Sequence, residues 1–172
     1  MHIAYTIAPG KGDTDLLLEQ LSRRLLAQGL RLCGTVQINT ECAEGPCDMD
    51  VRVLPGGEVL RISQSLGVGA RGCRLDPAAL ETAVGLVAAA LKEGADLLIV
   101  NKFGKQEGEG HGFREVIAEA LAMEIPVLVG LSGLNREAFD AFAQGMAVEV
   151  AADVDALEAW VRSTVRDPVI AG

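Results

Sequence analysis

The sequence predicts an α/β fold in which a mostly parallel sheet with a β-hairpin insertion carries helices on both faces. Three observations lead there. Short apolar runs alternate with longer segments of helical periodicity, the pattern of strand–helix–strand units that pair in parallel. Hydrophobic residues make up 49% of the chain but aromatics only 3%, and an interior of Ala, Leu and Val suits helices packed on buried strands. Finally, Pro55-Gly56-Gly57 lies between two β-prone stretches, which marks a hairpin. With 172 residues the chain can bury a substantial core yet is short for two ordinary domains, so residues 1–172 are expected to form a single domain.

The first strand is expected over His2 to Ala8, ending in the loop Pro9-Gly10-Lys11-Gly12-Asp13. Asp13 or Thr14 then caps a helix whose stripe is Leu17, Leu18, Leu21 and Leu25 and whose stop is Gly29. A second strand spans roughly Arg31 to Ile38, followed by a polar loop holding Cys42 and Cys47. Met49 to Leu54 and Glu58 to Gln64 form the hairpin arms. Ser65 to Leu75, with Gly67, Gly69 and Gly72, reads as a loop carrying Arg71 and Arg74. Asp76-Pro77 is an N-cap followed by proline at the first helical position, and that helix runs to Lys92. Leu97 to Val100 is a buried strand, and Asn101 to Gly112 a second glycine-rich loop. A helix near Phe113 to Met123, a strand Val127 to Gly130, a helix from Asn135 to Gln144, a strand Ala147 to Val150 and a helix from Asp153 to about Arg166 complete the chain.

The formal charge of −9 argues against a nucleic-acid surface or an acidic membrane leaflet, since both attract basic faces. The apolar start is interrupted at Pro9-Gly10-Lys11 and lacks the form of a secretory signal. Nor does any apolar run approach the ~20 residues of a membrane span. The expected location is therefore cytoplasmic, where Cys33, Cys42, Cys47 and Cys73 would be thiols or ligands rather than disulfides. The Cys42-x4-Cys47 spacing permits a metal site, although zinc and iron–sulfur sites prefer tighter pairs. Cys33, on a strand, reads as core.

In open α/β sheets ligands bind beyond the carboxyl ends of the parallel strands, which directs attention to the loops after residues 8, 100 and 130. Ile7 to Thr14 reads I-A-P-G-K-G-D-T. Against the phosphate-binding pattern G-x-x-x-x-G-K-T, Gly12 and Thr14 match, Ile7 replaces the first glycine, and Asp13 stands where lysine belongs. A carboxylate about 4 Å from a phosphate charge repels it by roughly 4 kcal/mol at an effective dielectric of 20. Lys11 offers a cation from a different position. The plain alternative is a strand-to-helix turn capped by Asp13 or Thr14.

The strand Leu97-Leu98-Ile99-Val100 emits Asn101 and Lys102 where a magnesium site would present acids. One charge is thus removed and the other inverted. The pairing of P-G-x-G-x-T with L-L-I-V-x-x-x-G-K-x-E resembles the P-loop nucleoside-triphosphatases of the THEP type, whose strand ends D-E-x-G-K-x-E. Gly104, Lys105 and Glu107 match that ending and the two acids do not. A closer resemblance is to an uncharacterised bacterial family, a domain of unknown function that often carries the name molybdenum ABC transporter ATP-binding protein. Its segments are similar to Arg61 to Asp76, Gly94 to Glu107 and Ile125 to Val129. The resemblance covers most of the chain and implies a P-loop NTPase-like fold and a link to molybdenum metabolism, without implying a reaction.

The expected site therefore combines Gly10, Lys11, Gly12 and Thr14 of the first loop with Ser63, Gln64, Arg71, Asn101, Lys102 and Lys105, and with Ser65, Arg61 and Arg74 as further candidates. This mixture of amines and neutral hydrogen bonders suits an oxyanion met directly more than a magnesium-held phosphate. The expected ligand is a small anion, either a nucleotide or a molybdate-type oxyanion. It would be bound without hydrolysis and with little place for magnesium. Two alternatives stay open. One is an active nucleoside-triphosphatase with relocated residues, using Lys11 on the phosphates, Thr14 on magnesium and Glu107 or Glu109 as base. The other is a regulatory protein-interaction module, working as a homo-oligomer or with a protein of the molybdenum system. His111, among glycines, reads as a surface loop residue.

Overall fold

The computed structural model describes residues 2–10, 12–39, 49–64 and 74–165. Buried β1 (Ile3–Thr6) leads through the first loop into α1 (Asp13–Ala27). Next come β2 (Leu32–Asn39), β3 (Met49–Leu54) and β4 (Glu58–Arg61), then a small pair, β5 (Ser63–Gln64) with β6 (Arg74–Leu75). The second half runs α2 (Pro77–Lys92), β7 (Leu97–Val100), α3 (Lys105–Gly108), α4 (Arg114–Ala122), β8 (Val127–Gly130), α5 (Arg136–Ala143), β9 (Val148–Glu149) and α6 (Val154–Thr164). A 3-10 turn, Gly133–Asn135, precedes α5.

The seven-stranded sheet has the order β4-β3-β2-β7-β8-β1-β9. From β2 to β9 neighbouring strands are parallel, and only the β2–β3 and β3–β4 pairs are antiparallel. The expected hairpin insertion is thus an antiparallel edge on a parallel sheet. One strand, β8, separates β1 from β7, so the loops that leave β1 and β7 open on the same edge with the end of β8 between them.

Alternation along each strand divides the interior into two layers. Ile3, Tyr5, Leu98, Val100, Val127 and Val129 face a cluster completed by α2, α4 and α5. Ala4, Leu97, Ile99 and Leu128 face Leu18, Leu21, Leu157 and Val161 of α1 and α6. Because every residue of β1, β7 and β8 is buried, these strands read in the sequence as continuous apolar runs. Asp76 caps α2 as expected, its Oδ1 accepting from the Ala78 and Ala79 amides. Among the described residues no helix is long and apolar enough to cross a membrane.

Four expectations need correction. Arg74–Leu75, expected within a loop, form β6 by pairing with β5. The loop from Asn101 to Gly112 contains a helical turn, α3, because Gly104 N-caps it and Lys105-Gln106-Glu107 lack breakers. The hairpin's second arm is not one strand: Ile62 is buried between β4 and β5, its amide donating to the Met49 carbonyl while its carbonyl accepts from Asp76. Finally, neither Asp13 nor Thr14 caps α1, as the cap position is Gly12 at φ 80°, a left-handed conformation that costs glycine little.

Candidate functional site

The turn between β1 and α1 is closed by backbone and side chain together. The Asp13 amide donates to the Gly10 carbonyl at 3.2 Å, Leu16 makes the first helical bond to the Gly12 carbonyl, and the Ala8 amide donates to Thr14 Oγ1 at 3.1 Å. Thr14 thereby ties the loop's entry to its exit. The Asp13 carboxylate is folded against Gly10, where any β-carbon would collide with it, and Asp13 is exposed. Asp13 is not among the residues that line the adjoining cradle, although Gly10, which its carboxylate abuts, is one of them.

Across the crevice, β7 ends in a residue held on every side. Asn101 is 4% exposed. Its Oδ1 accepts from the Gln37 amide at 2.8 Å and its Nδ2 donates to Asp15 Oδ1 at 2.7 Å. Two positions later Phe103 is fully buried, edge-on to Phe139 at 5.2 Å, with its amide on the Gly130 carbonyl. Anchored residues on either side leave Lys102 exposed at the mouth. Gly130 permits this closeness, because a β-carbon there would collide with the Asn101 carbonyl and lie 3.0 Å from Leu18 Cδ1 and Thr14 Cγ2.

These elements enclose a cradle of about 220 Å³ walled by Gly10, Gly12, Thr14 and Asp15 on one side and by Asn101 and Lys102 on the other. Gln37, Gly130 and Ser132 line it as well, with Ala8 and Leu131. Gly10, Gly12, Thr14, Asn101 and Lys102, all expected from the sequence, are therefore brought together. Lys105 is not in this cradle; it borders an adjoining cavity, 83% exposed and 4.0 Å from Glu109. Ser63 and Gln64 line neither space, since the Ser63 hydroxyl accepts from the Met49 amide and Gln64 donates to the Leu75 carbonyl. Arg61 pairs with Asp50. Lys11, Ser65, Arg71, the Arg74 side chain, Cys42, Cys47 and Cys73 lie outside the described residues. Cys33 is buried against the Val87 carbonyl, and burial pushes its thiol up to about 11.

The sequence reading missed Asp15, Gln37 and Ser132. Asp15 follows Thr14 directly, and nothing in the sequence sets Gln37 apart from Thr35 and Asn39, the other polar residues of its strand. Glu107 was considered only as a base. It is 3% exposed, and burial pushes its carboxyl above the usual range against the backbone amides of Glu107, Gly104 and Phe113, with Glu81 adding to the rise.

P-loop enzymes hold magnesium with a carboxylate at this strand end. The strand-end position that should offer a carboxylate offers a neutral amide whose oxygen and nitrogen are both engaged. Among the described residues no three His, Cys, Asp or Glu side chains are grouped to hold a metal.

The fold itself has solved counterparts. A human cancer-related nucleoside triphosphatase superposes with a TM-score of 0.66 at 18% identity, covering 96% of this chain and 99% of that one. THEP1 from the hyperthermophile Aquifex aeolicus gives 0.59 at 16% identity, covering 95% and 96%. The fold is thus P-loop NTPase-like, as expected. In sequence the chain is 37% identical over 154 residues to a protein of Bradyrhizobium diazoefficiens named molybdenum import ATP-binding protein ModC 2. The match takes in 88% of this chain but only 17% of that protein's length. Residues 3–160 match the model of a family described as protein of unknown function DUF2478, and the chain belongs to that family.

Proposed function

We propose that the cradle binds a small anionic group, the phosphate of a nucleotide or a molybdate-type oxyanion, directly and without hydrolysing it. The observation that carries this reading is the pairing of the glycine loop and Thr14 with Asn101 and Lys102 around one cavity. The first turn of α1 has amides with no intrahelical acceptor, and such amides favour an anion. Lys102 supplies the positive charge. Asp15 on the wall opposes an anion, but its oxygen is engaged by the Asn101 amide, which offsets part of that charge. Hydrolysis of a triphosphate would need acids to hold the metal and orient water, and the strand end has exchanged them for Asn101 and Lys102. The molybdenum link comes from the name of the 37% identical relative and selects among anions only to that extent.

The test is calorimetry with inorganic phosphate, molybdate, sulfate and ATP, in the presence of EDTA. At least one titration should give a binding heat that Lys102→Ala abolishes and Lys105→Ala leaves nearly intact. Magnesium-dependent phosphate release from ATP that disappears in Thr14→Ala would overturn the reading in favour of an active triphosphatase.

A further inference from the structure

The crevice does not end at Lys102. A second cavity of about 310 Å³ adjoins the cradle and shares Gln37, Asn101 and Lys102 with it. Its character is different. Val51, Ile62, Leu75, Leu80 and Phe113 supply apolar walls from the hairpin, β6, α2 and the start of α4, and Met49 adds a flexible one. Among the described residues the polar groups are Thr35, Gln106 and the buried Glu107 carboxyl besides the shared residues, and the charges of Lys102 and Lys105 stand exposed at the rim. A bare tetrahedral oxyanion in the cradle would not reach these apolar walls. Ligand sites more usually join a mostly apolar hollow to a few placed polar groups.

We propose that this second cavity takes the organic body of the ligand whose anionic group enters the cradle, and that this body is an uncharged aromatic ring system. The inference rests on the anion reading of the cradle. A cavity of this volume stands near the lower end of small-molecule sites, so the body is compact, and a rigid ring buries much apolar area while losing few rotors. Lys102 sits at the junction and contacts both parts. The exposed lysines disfavour a cationic ring, and the buried Glu107 carboxyl in the same wall disfavours an anionic one. A ligand of this kind is an aryl or heteroaryl monophosphate rather than a free oxyanion.

The probe is 1-naphthyl phosphate, titrated calorimetrically beside inorganic phosphate and neutral 1-naphthol. The naphthyl ester should bind at least tenfold more tightly than phosphate, about 1.4 kcal/mol. Leu75→Trp and Met49→Trp, both at partly buried wall positions, should fill the cavity and erase that advantage while phosphate affinity stays within about twofold. Thermal unfolding shows which variant is folded, and either suffices. Equal affinity of ester and phosphate in the wild type overturns the second cavity and leaves the cradle reading standing. Naphthol binding as tightly as the ester overturns the coupling of the two spaces. Failure of both phosphates to bind overturns this reading and removes phosphate, though not molybdate, from the cradle reading, and an advantage that survives both variants overturns this reading as well.

Discussion

The Asn101 side-chain amide donates to the Asp15 carboxylate across 2.7 Å while its oxygen accepts from the Gln37 amide, so one neutral residue joins α1, β2 and β7 at the crevice. The carboxylate of this pair comes from the helix and the donor from the strand, the reverse of what a magnesium-binding strand end supplies.

Asn101→Asp should therefore harm the protein it superficially repairs. It replaces a donor with a second carboxylate facing the first, leaving Asp15 without that bond and adding like-charge repulsion, for a loss of about 1–3 kcal/mol. A carboxylate pair holds its proton to higher pH in the folded state. The deficit should accordingly grow as pH rises through the carboxylate range and shrink below it. Thermal unfolding with and without millimolar magnesium checks this. Magnesium should recover part of the variant's loss and leave the wild type unmoved.

Gly112 is constrained twice. Its φ is +61°, and a β-carbon would lie 2.7 Å from Glu107 Cδ and 2.8 and 2.9 Å from the two carboxyl oxygens. Its amide also donates to Glu81 Oε1 at 3.0 Å. Gly112→Ala should cost about 1–3 kcal/mol through backbone strain and displacement of Glu107, read by urea unfolding. Gly110→Ala gives the comparison, since its φ is +94° with open space around it, and should cost less.

Glu107 also sets a pH dependence. Its folded carboxyl titrates above the ordinary 4.5, mainly because it is buried. The unfolded chain then releases this proton first, so the penalty is absent below 4.5 and grows as pH rises toward the folded value. Glu107→Gln should flatten the fall in melting temperature above pH 4.5. An unchanged slope would place the protonation elsewhere.

The sheet and its helices were legible because β1, β7 and β8 are buried on both faces and leave uninterrupted apolar runs, and because Asp76-Pro77 is a local start signal. The crevice was legible in part for the same reason: strand ends fix where Gly10, Thr14, Asn101 and Lys102 meet. What stayed hidden depends on pairing across the fold. Nothing local says that Asp15 meets Asn101, since 86 positions separate them, or that the Asp13 carboxylate turns onto Gly10. Ser63 and Gln64 looked like ligands because polar residues beside a glycine-rich loop resemble a site. Their bonds instead brace the hairpin and the small β5–β6 pair.

The last prediction concerns how α6 is fastened to α1. Glu158 accepts from Arg24 Nη1 at 2.9 Å, from Gln28 at 2.8 Å and from Arg162, and Asp155 reaches Arg24 at 2.7 Å. Arg24, with Gln28 and Arg162 adding to it, holds the Glu158 carboxyl at about 2. A depressed carboxyl contributes its stability above the unfolded value of 4.5 and loses it as pH falls toward the folded one. Wild-type stability should thus decline between about pH 4.5 and pH 2, and Glu158→Gln should decline less over the same window because it has no such proton to take up. Salt should narrow the difference between the two proteins, since the partners lie at the surface. Equal acid profiles for both would mean that the α1–α6 contact is held by Leu21, Leu25, Leu157 and Val161 alone.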